Sequence, residues 1–151
     1  EIRRDGPDRL RLKDAIKHNV RLPMASSRGR GAEAYANYLE ENRQALRGFF
    51  ELLGDPGMLP LLFHCSAGKD RTGILTALLL ESLGTPRPLI LDDYLQSVRN
   101  SAGLEVHSEW LEVVFRAVDR AGGIQTYLES KGVSRAVQQA VHRNLVRPVQ
   151  R

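Results

Sequence analysis

Residues 58–83 read MLPLLFHCSAGKDRTGILTALLLESL, and this stretch decides the fold. Met58 to Phe63 is a short, continuous apolar run that follows the turn residues Gly54-Asp55-Pro56-Gly57, so it predicts a buried strand. Thr72 to Leu83 is almost wholly apolar and predicts a buried helix, which Gly84-Thr85-Pro86 ends. A strand, a polar loop and a buried helix therefore form one unit.

The loop between the two, residues 64–73, has the composition of a phosphate-binding cradle. It ends at a helix N-terminus, where backbone N–H groups converge and the helix dipole favours a negative charge. Gly68 allows a tight turn, and Arg71 can place its planar guanidinium on a tetrahedral oxyanion. The same field stabilises a thiolate at Cys65. We therefore predict in-line attack of Cys65 on phosphorus and a covalent phosphocysteine that water hydrolyses, a reaction that needs no metal and no cofactor.

Cys65 is the one cysteine of the chain, which excludes an internal disulfide and argues against a cysteine-based zinc site. The alternative interpretation of Cys65 is a small buried hydrophobe behind a strand. Gly68, Lys69, Arg71 and Thr72 stand in register with it and favour the nucleophile.

The loop resembles a known signature. His64-Cys65, five further residues, then Arg71-Thr72-Gly73 match the His-Cys-x5-Arg-Ser/Thr-Gly pattern of the cysteine-based protein tyrosine phosphatase superfamily. The full string HCSAGKDRTG is similar to the branch that contains mycobacterial protein tyrosine phosphatase B and related bacterial and fungal enzymes. Residues 90–97 (ILDDYLQS) and 122–128 (GGIQTYL) also resemble that branch, so the similarity covers residues 18–147.

The resemblance implies a role for each residue of the loop. Cys65 is the nucleophile and Arg71 the phosphate clamp, while the Thr72 hydroxyl bonds the Cys65 sulfur and eases its departure. His64 supports the loop from behind. The phosphate-binding residues are six in a row: Ser66, Ala67, Gly68, Lys69, Asp70 and Arg71.

The residue that protonates the leaving oxygen is harder to identify from the sequence. Many members of the superfamily use an Asp on a separate loop well before the Cys, but the corresponding segment here, Met24 to Ala34, contains no Asp. Its one acid, Glu33, suits the start of the next helix. We therefore predict Asp70 as the general acid, because an Asp at that position is thought to act so in the branch that the chain resembles. A helix cap or a partner for an arginine is the alternative role.

The flanking sequence predicts an α/β, protein tyrosine phosphatase-like fold, with a central sheet flanked by helices and a helical C-terminal half. His18 to Met24 alternates as a short strand, and Ala25 to Ala32 is a loop. Glu33 to Leu53 has the period of one amphipathic helix. Its predicted buried face consists of Tyr35, Tyr38, Leu39, Leu46, Phe49, Phe50 and Leu53.

Four more helices are predicted after residue 85. They are Pro88 to Ser101, Glu105 to Arg120, Ile124 to Ser130, and a last helix that Ser134 caps. The apolar stripe predicted for the helix Glu105 to Arg120 makes Trp110 a core residue, together with Val113, Val114 and Ala117. The last helix presents Val137, Ala140, Val141 and Leu145.

Length and composition, 151 residues with 42% hydrophobic and 26% charged, fit a single domain. We assign residues 1–151 to one phosphatase domain, with the sheet and phosphate loop in 1–84 and the helical part in 85–151. Enzymes of this superfamily carry further strands ahead of the first one here, which follows residue 17. We expect the chain to be N-terminally incomplete, or a partner chain to complete the sheet, or a reduced form to cover its edge otherwise.

The net charge of +4 is a mild bias toward anionic partners and does not by itself imply nucleic acid. No apolar run approaches the roughly 18 residues of a membrane span, so stable membrane insertion is not expected. A phosphotyrosine protein is the first substrate expected; phosphoserine/threonine, hence dual specificity, or a phosphoinositide stays open. Lys69, with Arg28 and Arg30 near the mouth, favours more than one phosphate. The free thiol suits a reducing, cytoplasmic compartment, although a secreted bacterial effector would look the same.

Two rival functions remain open from sequence. One is a pseudophosphatase, a phosphate-binding module that keeps the cradle but does not turn over. The other is a sulfurtransferase, because rhodanese-like loops also begin with a reactive cysteine and hold an anion. The spacing of Arg71 from Cys65, and Thr72 after it, argue against the second.

Overall fold

The computed structural model describes residues 18–21, 31–100 and 105–146. The segments that the sequence analysis placed at Leu22 to Arg30, including Arg28 and Arg30, lie outside these residues. The described elements are, in chain order, β1 (His18–Arg21), α1 (Ala32–Glu41), α2 (Arg43–Gly54), a 3-10 turn (Pro56–Met58), β2 (Leu61–His64), α3 (Asp70–Ser82), α4 (Arg87–Asn100), α5 (Ser108–Arg120), α6 (Ile124–Ser130) and α7 (Arg135–Leu145).

The two described strands are parallel neighbours, with His18 opposite Leu61 and Arg21 opposite His64. Helices α1 and α2 form the crossover that a parallel pair requires. The mixed α/β fold is therefore confirmed, and helices make up most of it.

Strand β2 is shorter than the sequence predicts. The carboxylate of Asp55 accepts a hydrogen bond from the Gly57 backbone at 2.8 Å and holds Pro56–Met58 in the 3-10 turn, so β2 begins after Pro60. The expectation of a buried strand is wrong at Leu62, which is 38% exposed. A continuous apolar run cannot say which of its two faces the rest of the chain covers.

The helix predicted over Glu33 to Leu53 is in fact two helices that meet at Asn42. Asn42 leaves the helical region (φ −113°, ψ 33°), and its buried side chain donates from Nδ2 to the Tyr38 carbonyl at 3.0 Å. The same carbonyl also accepts from the Asn42 backbone N–H at 3.1 Å, so the side-chain bond accompanies the break and does not replace the helical hydrogen bond. The apolar period continues across the break, so all seven positions of the predicted buried face are indeed buried.

Helix α3 lies at the centre of the core, and its buried side chains are Ile74, Leu75, Ala77, Leu78 and Leu79. Helix α4 packs against it, α5 lies along α1, and α7 lies along α2. The buried stripe of α5 differs from the predicted one and consists of Leu111, Val114, Phe115 and Val118. The bounds of α6 are those predicted, and Ser134 caps α7 as predicted by accepting from the Val137 backbone at 3.3 Å.

Arg87 fastens three helices together at the start of α4. Its guanidinium makes a two-pronged pair with Asp119 of α5, at 2.6 and 2.9 Å, and its Nε donates to Glu81 of α3 at 2.9 Å. The guanidinium carbon also lies 4.8 Å from the centre of the Phe115 ring. Within the described ranges, no helix combines the length and the apolar character that crossing a bilayer requires.

Candidate active site

The polar loop joins the end of β2 to the start of α3. Cys65 follows β2 directly, and α3 begins at Asp70 rather than at Thr72, so Asp70 and Arg71 occupy its first helical turn. Gly68 has φ +68°, a left-handed conformation that glycine adopts without steric cost. The loop is thus wrapped around a helix N-terminus, where free backbone N–H groups favour an anion.

Cys65 lies at the base of this loop, and its side chain is 6% exposed. Burial by itself raises the pKa of the thiol. It is opposed by hydrogen bonds from the Thr72 hydroxyl and from the backbone N–H groups of Thr72, Gly68 and Ala67, and the net pKa of Cys65 lies below its ordinary value. The site therefore favours the thiolate, which is the nucleophilic form.

The Thr72 hydroxyl is available for that task. Its oxygen is buried and has no hydrogen-bond partner of ordinary geometry in the described part of the chain. The hydroxyl nevertheless lowers the pKa of the Cys65 thiol, so the sulfur is the group toward which it can donate. A hydroxyl in this position also stabilises a departing thiolate.

Arg71 reaches back across the loop. Its Nη2 atom donates to the Ser66 hydroxyl at 3.4 Å, and its side chain is half-buried. Ser66, Ala67 and Gly68 are exposed, so the loop is open to an incoming anion. A guanidinium over such a loop can hold two oxygens of a phosphoryl group at once.

Asp70 is held by two side chains. The Tyr35 hydroxyl donates to Oδ1 at 3.0 Å, and the Lys69 ammonium lies 2.9 Å from Oδ1 and 2.8 Å from Oδ2. The Asp70 side chain nevertheless remains 40% exposed. Neither alternative role from the sequence analysis describes it, since the helix cap is Lys69 and its ion-pair partner is a lysine.

Tyr35 in turn contacts Tyr94 of α4, with 2.6 Å between the two hydroxyl oxygens and the rings packed edge to face. Burial, together with the neighbouring hydroxyl and carboxylate, raises the pKa of Tyr35 far above its ordinary value, and burial raises that of Tyr94 to about 12. Both phenols are therefore neutral donors. The sequence analysis treated Tyr35 as core and gave Tyr94 no role; a tyrosine on an otherwise apolar helix face was the available signal.

A cavity of about 270 Å³ opens beside Asp70 and Arg71. Aromatic side chains from two helices wall it: Tyr35 and Tyr38 from α1, and Trp110 from α5. Trp110 therefore packs against the edge of the core and does not lie within it as expected. Trp110 is only half-buried, because the stripe of α5 that faces the core is offset by one residue, and its ring lies 5.7 Å from the Lys69 ammonium.

Tyr38 has the other buried hydroxyl at this cavity, without a hydrogen-bond partner in the described part of the chain. Burial raises its pKa to about 12, a rise that Arg71 opposes and Cys65 supports. The phenol therefore lies within electrostatic reach of the nucleophile and of the predicted phosphate clamp.

Two residues that the sequence analysis discussed, His64 and Glu33, lie at the edges of the site together with Asp93. His64 Nδ1 is 3.2 Å from the Cys65 carbonyl oxygen. Glu33 is exposed in the first turn of α1, where its charge suits the dipole. Asp93 is exposed on α4 and lines a small hollow behind the loop with Gly68 and Thr72.

Comparison with known proteins gives consistent results. A model described as the tyrosine phosphatase family matches residues 9–147. The chain is 34% identical over 119 residues to a protein of Cupriavidus necator whose name gives it a provisional assignment as a tyrosine-protein phosphatase; the match covers 64% of this chain and 43% of that protein. A tyrosine-protein phosphatase of Nostoc commune is 33% identical over 95 residues, 63% of this chain and 32% of the relative.

A third relative matches more closely over a shorter stretch. The triple specificity protein phosphatase PtpB of Mycobacterium tuberculosis is 58% identical over 38 residues, which are 25% of this chain and 14% of that protein. The chain spans less than half the length of each of these curated relatives.

Proposed function

The chain belongs to the tyrosine phosphatase family, and on that premise we propose that it hydrolyses phosphate monoesters through a phosphocysteine on Cys65. The observation that carries the proposal is the state of this thiol. Its pKa is lowered by the Thr72 hydroxyl and by the backbone N–H groups of Thr72, Gly68 and Ala67, against the effect of burial. Those N–H groups are donors that a bound phosphoryl group would use. A structural cysteine has no need of them.

The first step forms a bond between the Cys65 sulfur and phosphorus and breaks the bond from phosphorus to the leaving oxygen. Arg71 and the loop N–H groups hold the equatorial oxygens as charge redistributes. Asp70 gives its proton to the leaving oxygen. In the second step water attacks phosphorus, Asp70 takes up the water proton, and the thiolate leaves toward the Thr72 hydroxyl.

A phosphotyrosine side chain is the substrate that the cavity supports best. Its walls of Tyr35, Tyr38 and Trp110 can pack against an aromatic ring. Lys69, the basis for expecting a second phosphate, already bonds both oxygens of Asp70, so a second phosphate would compete with that carboxylate for it. This favours an aryl monophosphate over a phosphoinositide, while phosphoserine and phosphothreonine remain secondary candidates.

We further propose that the loop part and the helical part act as one catalytic domain. Helices α5 and α6 pack against α3, and α7 packs against α2. One continuous hydrophobic core includes Cys65 together with Leu111, Leu128 and Val141. The position of the nucleophile is therefore coupled to the packing of the helical half.

Release of p-nitrophenol from p-nitrophenyl phosphate tests the proposal, with and without EDTA, for the wild type and for Cys65→Ser. We expect turnover that EDTA leaves unchanged and that the substitution abolishes, with a phosphocysteine trapped by rapid acid quench. Turnover that survives Cys65→Ser would overturn the mechanism. Vanadate binding without any burst of p-nitrophenol would instead favour the pseudophosphatase.

A further inference from the structure

Three helices bring a row of hydroxyl and carboxyl groups together beside the loop. Tyr94 comes from α4, Tyr35 from α1 and Asp70 from α3, and the two contacts measure 2.6 Å and 3.0 Å. Tyr94 and Tyr35 are 4% and 2% exposed, whereas the side chain of Asp70 is 40% exposed. The row therefore has a buried, fixed end and an open end at the cavity.

The hydrogen bonds in this row run in one direction. A carboxylate only accepts, so the proton of the Tyr35 hydroxyl points to Oδ1 of Asp70. The single proton of Tyr35 is then used, and the bond between the phenols is donated by Tyr94. Both phenols are locked as donors by the carboxyl group at the end of the row.

This direction decides which oxygen of Asp70 carries a proton. If the row keeps this direction when the carboxyl group is protonated, Oδ1 receives the Tyr35 hydrogen and the acidic proton resides on Oδ2. Lys69 does not distinguish the two carboxyl oxygens of Asp70, because its ammonium lies at almost equal distances from both. Of the two partners that Asp70 has among the described residues, Tyr35 is the one that distinguishes its two oxygens.

A purely structural role does not account for the two hydroxyls. Phenylalanine at both positions would keep the edge-to-face packing of the rings without burying polar atoms. Nor does this core supply every buried phenol with a partner, since the hydroxyls of Tyr38 and Tyr127 have none among the described residues.

We infer that Tyr35, held by Tyr94, is a positioning residue that orients the Asp70 carboxyl group for proton transfer to the leaving oxygen. The inference rests on the proposed function, in which Asp70 is the general acid. Tyr35 acts through Asp70, so in the first step its hydroxyl matters only for leaving groups that need a proton.

Two substrates and a double-mutant cycle test this. p-Nitrophenyl phosphate has a good leaving group that departs without protonation, and phenyl phosphate has a poor one. We expect Asp70→Asn to lower kcat/KM for phenyl phosphate by about 100-fold and kcat/KM for p-nitrophenyl phosphate far less, because kcat/KM reports phosphoryl transfer to Cys65 and not the later hydrolysis that both substrates share. Tyr35→Phe should show the same selectivity in kcat/KM, with a loss of about 10-fold. In the Asp70→Asn background it should cause no further loss.

Two further variants serve as a control and as an independent test of the positioning role. Tyr127→Phe removes a buried hydroxyl that is away from the cavity and has no hydrogen-bond partner among the described residues, so it should leave the turnover of both substrates unchanged. Tyr94→Phe leaves Tyr35 able to donate but unanchored, so it should reproduce the selective loss in weaker form even if Tyr35→Phe folds poorly.

The outcomes separate the inference from its premise. Equal losses for both substrates in Tyr35→Phe, additive with Asp70→Asn, would overturn the positioning role and leave the proposed function intact. No selective loss in Asp70→Asn, with Cys65→Ser inactive, would remove Asp70 as the acid and overturn the inference with it. An inactive wild type would overturn both.

Discussion

Gly73→Ala tests how closely α3 is fitted against Tyr94. Gly73 lies in the first turns of α3, and a Cβ added there would be 2.9 Å from both Cδ2 and Cε2 of the Tyr94 ring. Carbon atoms in good contact are about 3.5 to 4.0 Å apart, so the ring must move by about half an ångström or more. It has little room to do so, because it is 4% exposed and its hydroxyl is held by Tyr35.

The expected change in stability is the difference of two effects. Alanine in place of a helical glycine gains about 1 kcal/mol, whereas overpacking a core costs about 1 to 3 kcal/mol. Gly73→Ala should therefore lower the free energy of unfolding by about 0 to 2 kcal/mol. Gly48→Ala is the matched control, because it lies within α2 and its added Cβ would meet nothing within 4 Å. That variant should gain about 1 kcal/mol.

Urea unfolding of the two variants and the wild type measures the difference directly. The two alanine variants should differ by about 1 to 3 kcal/mol with equal m values. Gly73→Ala should also lower kcat for phenyl phosphate, because the displaced Tyr94 ring moves the hydroxyl on which Tyr35 depends. Two variants of equal stability and unchanged activity would refute the reasoning.

Three other substitutions have defined outcomes. Thr72→Ala removes a hydrogen-bond donor that lowers the pKa of Cys65, so the midpoint of thiol alkylation by iodoacetamide should move to higher pH; an unmoved midpoint would show that the hydroxyl does not bond the thiolate. Arg71→Lys keeps the charge but loses the two-pronged donor, and kcat for p-nitrophenyl phosphate should fall by about 100-fold or more, whereas a loss below tenfold would contradict the clamp role. Arg87→Ala breaks the pair with Asp119 that fastens α4 to α5. It should lower the free energy of unfolding in urea, and by less at high salt because the pair is exposed. A loss that salt does not change would point instead to lost packing on the Phe115 ring.

The strand, loop and helix around Cys65 were predictable because their signals are local. An apolar run, a glycine in a tight turn and an apolar helix each follow from neighbouring residues. The cap at Ser134 and the bounds of α6 belong to the same class, since a capping hydroxyl or a pair of glycines acts within one turn.

Features that depend on distant residues were not predictable. The contact of Tyr35 with Asp70 joins positions 35 residues apart and leaves no pattern in either segment. Trp110 was placed in the core because the predicted buried stripe of α5 differs by one residue from the observed one. One residue corresponds to about 100° around a helix, which places the Trp110 side chain at the edge of the core. The break at Asn42 lacked a proline or glycine signal, and the apolar period on both sides continued through it.

Asn42 joins α1 and α2 into one bent helical unit. Its backbone N–H donates to the Tyr38 carbonyl at 3.1 Å, and its own carbonyl accepts from the Leu46 N–H at 3.0 Å, so helical hydrogen bonding runs through the bend. Helix α1 carries Tyr35 and Tyr38 of the cavity wall, and α2 packs along α7. We therefore expect the two helices to unfold together, as one cooperative unit. Loss of activity on heating should coincide with global unfolding and not precede it, because the helix that forms the cavity wall does not unfold independently of α2.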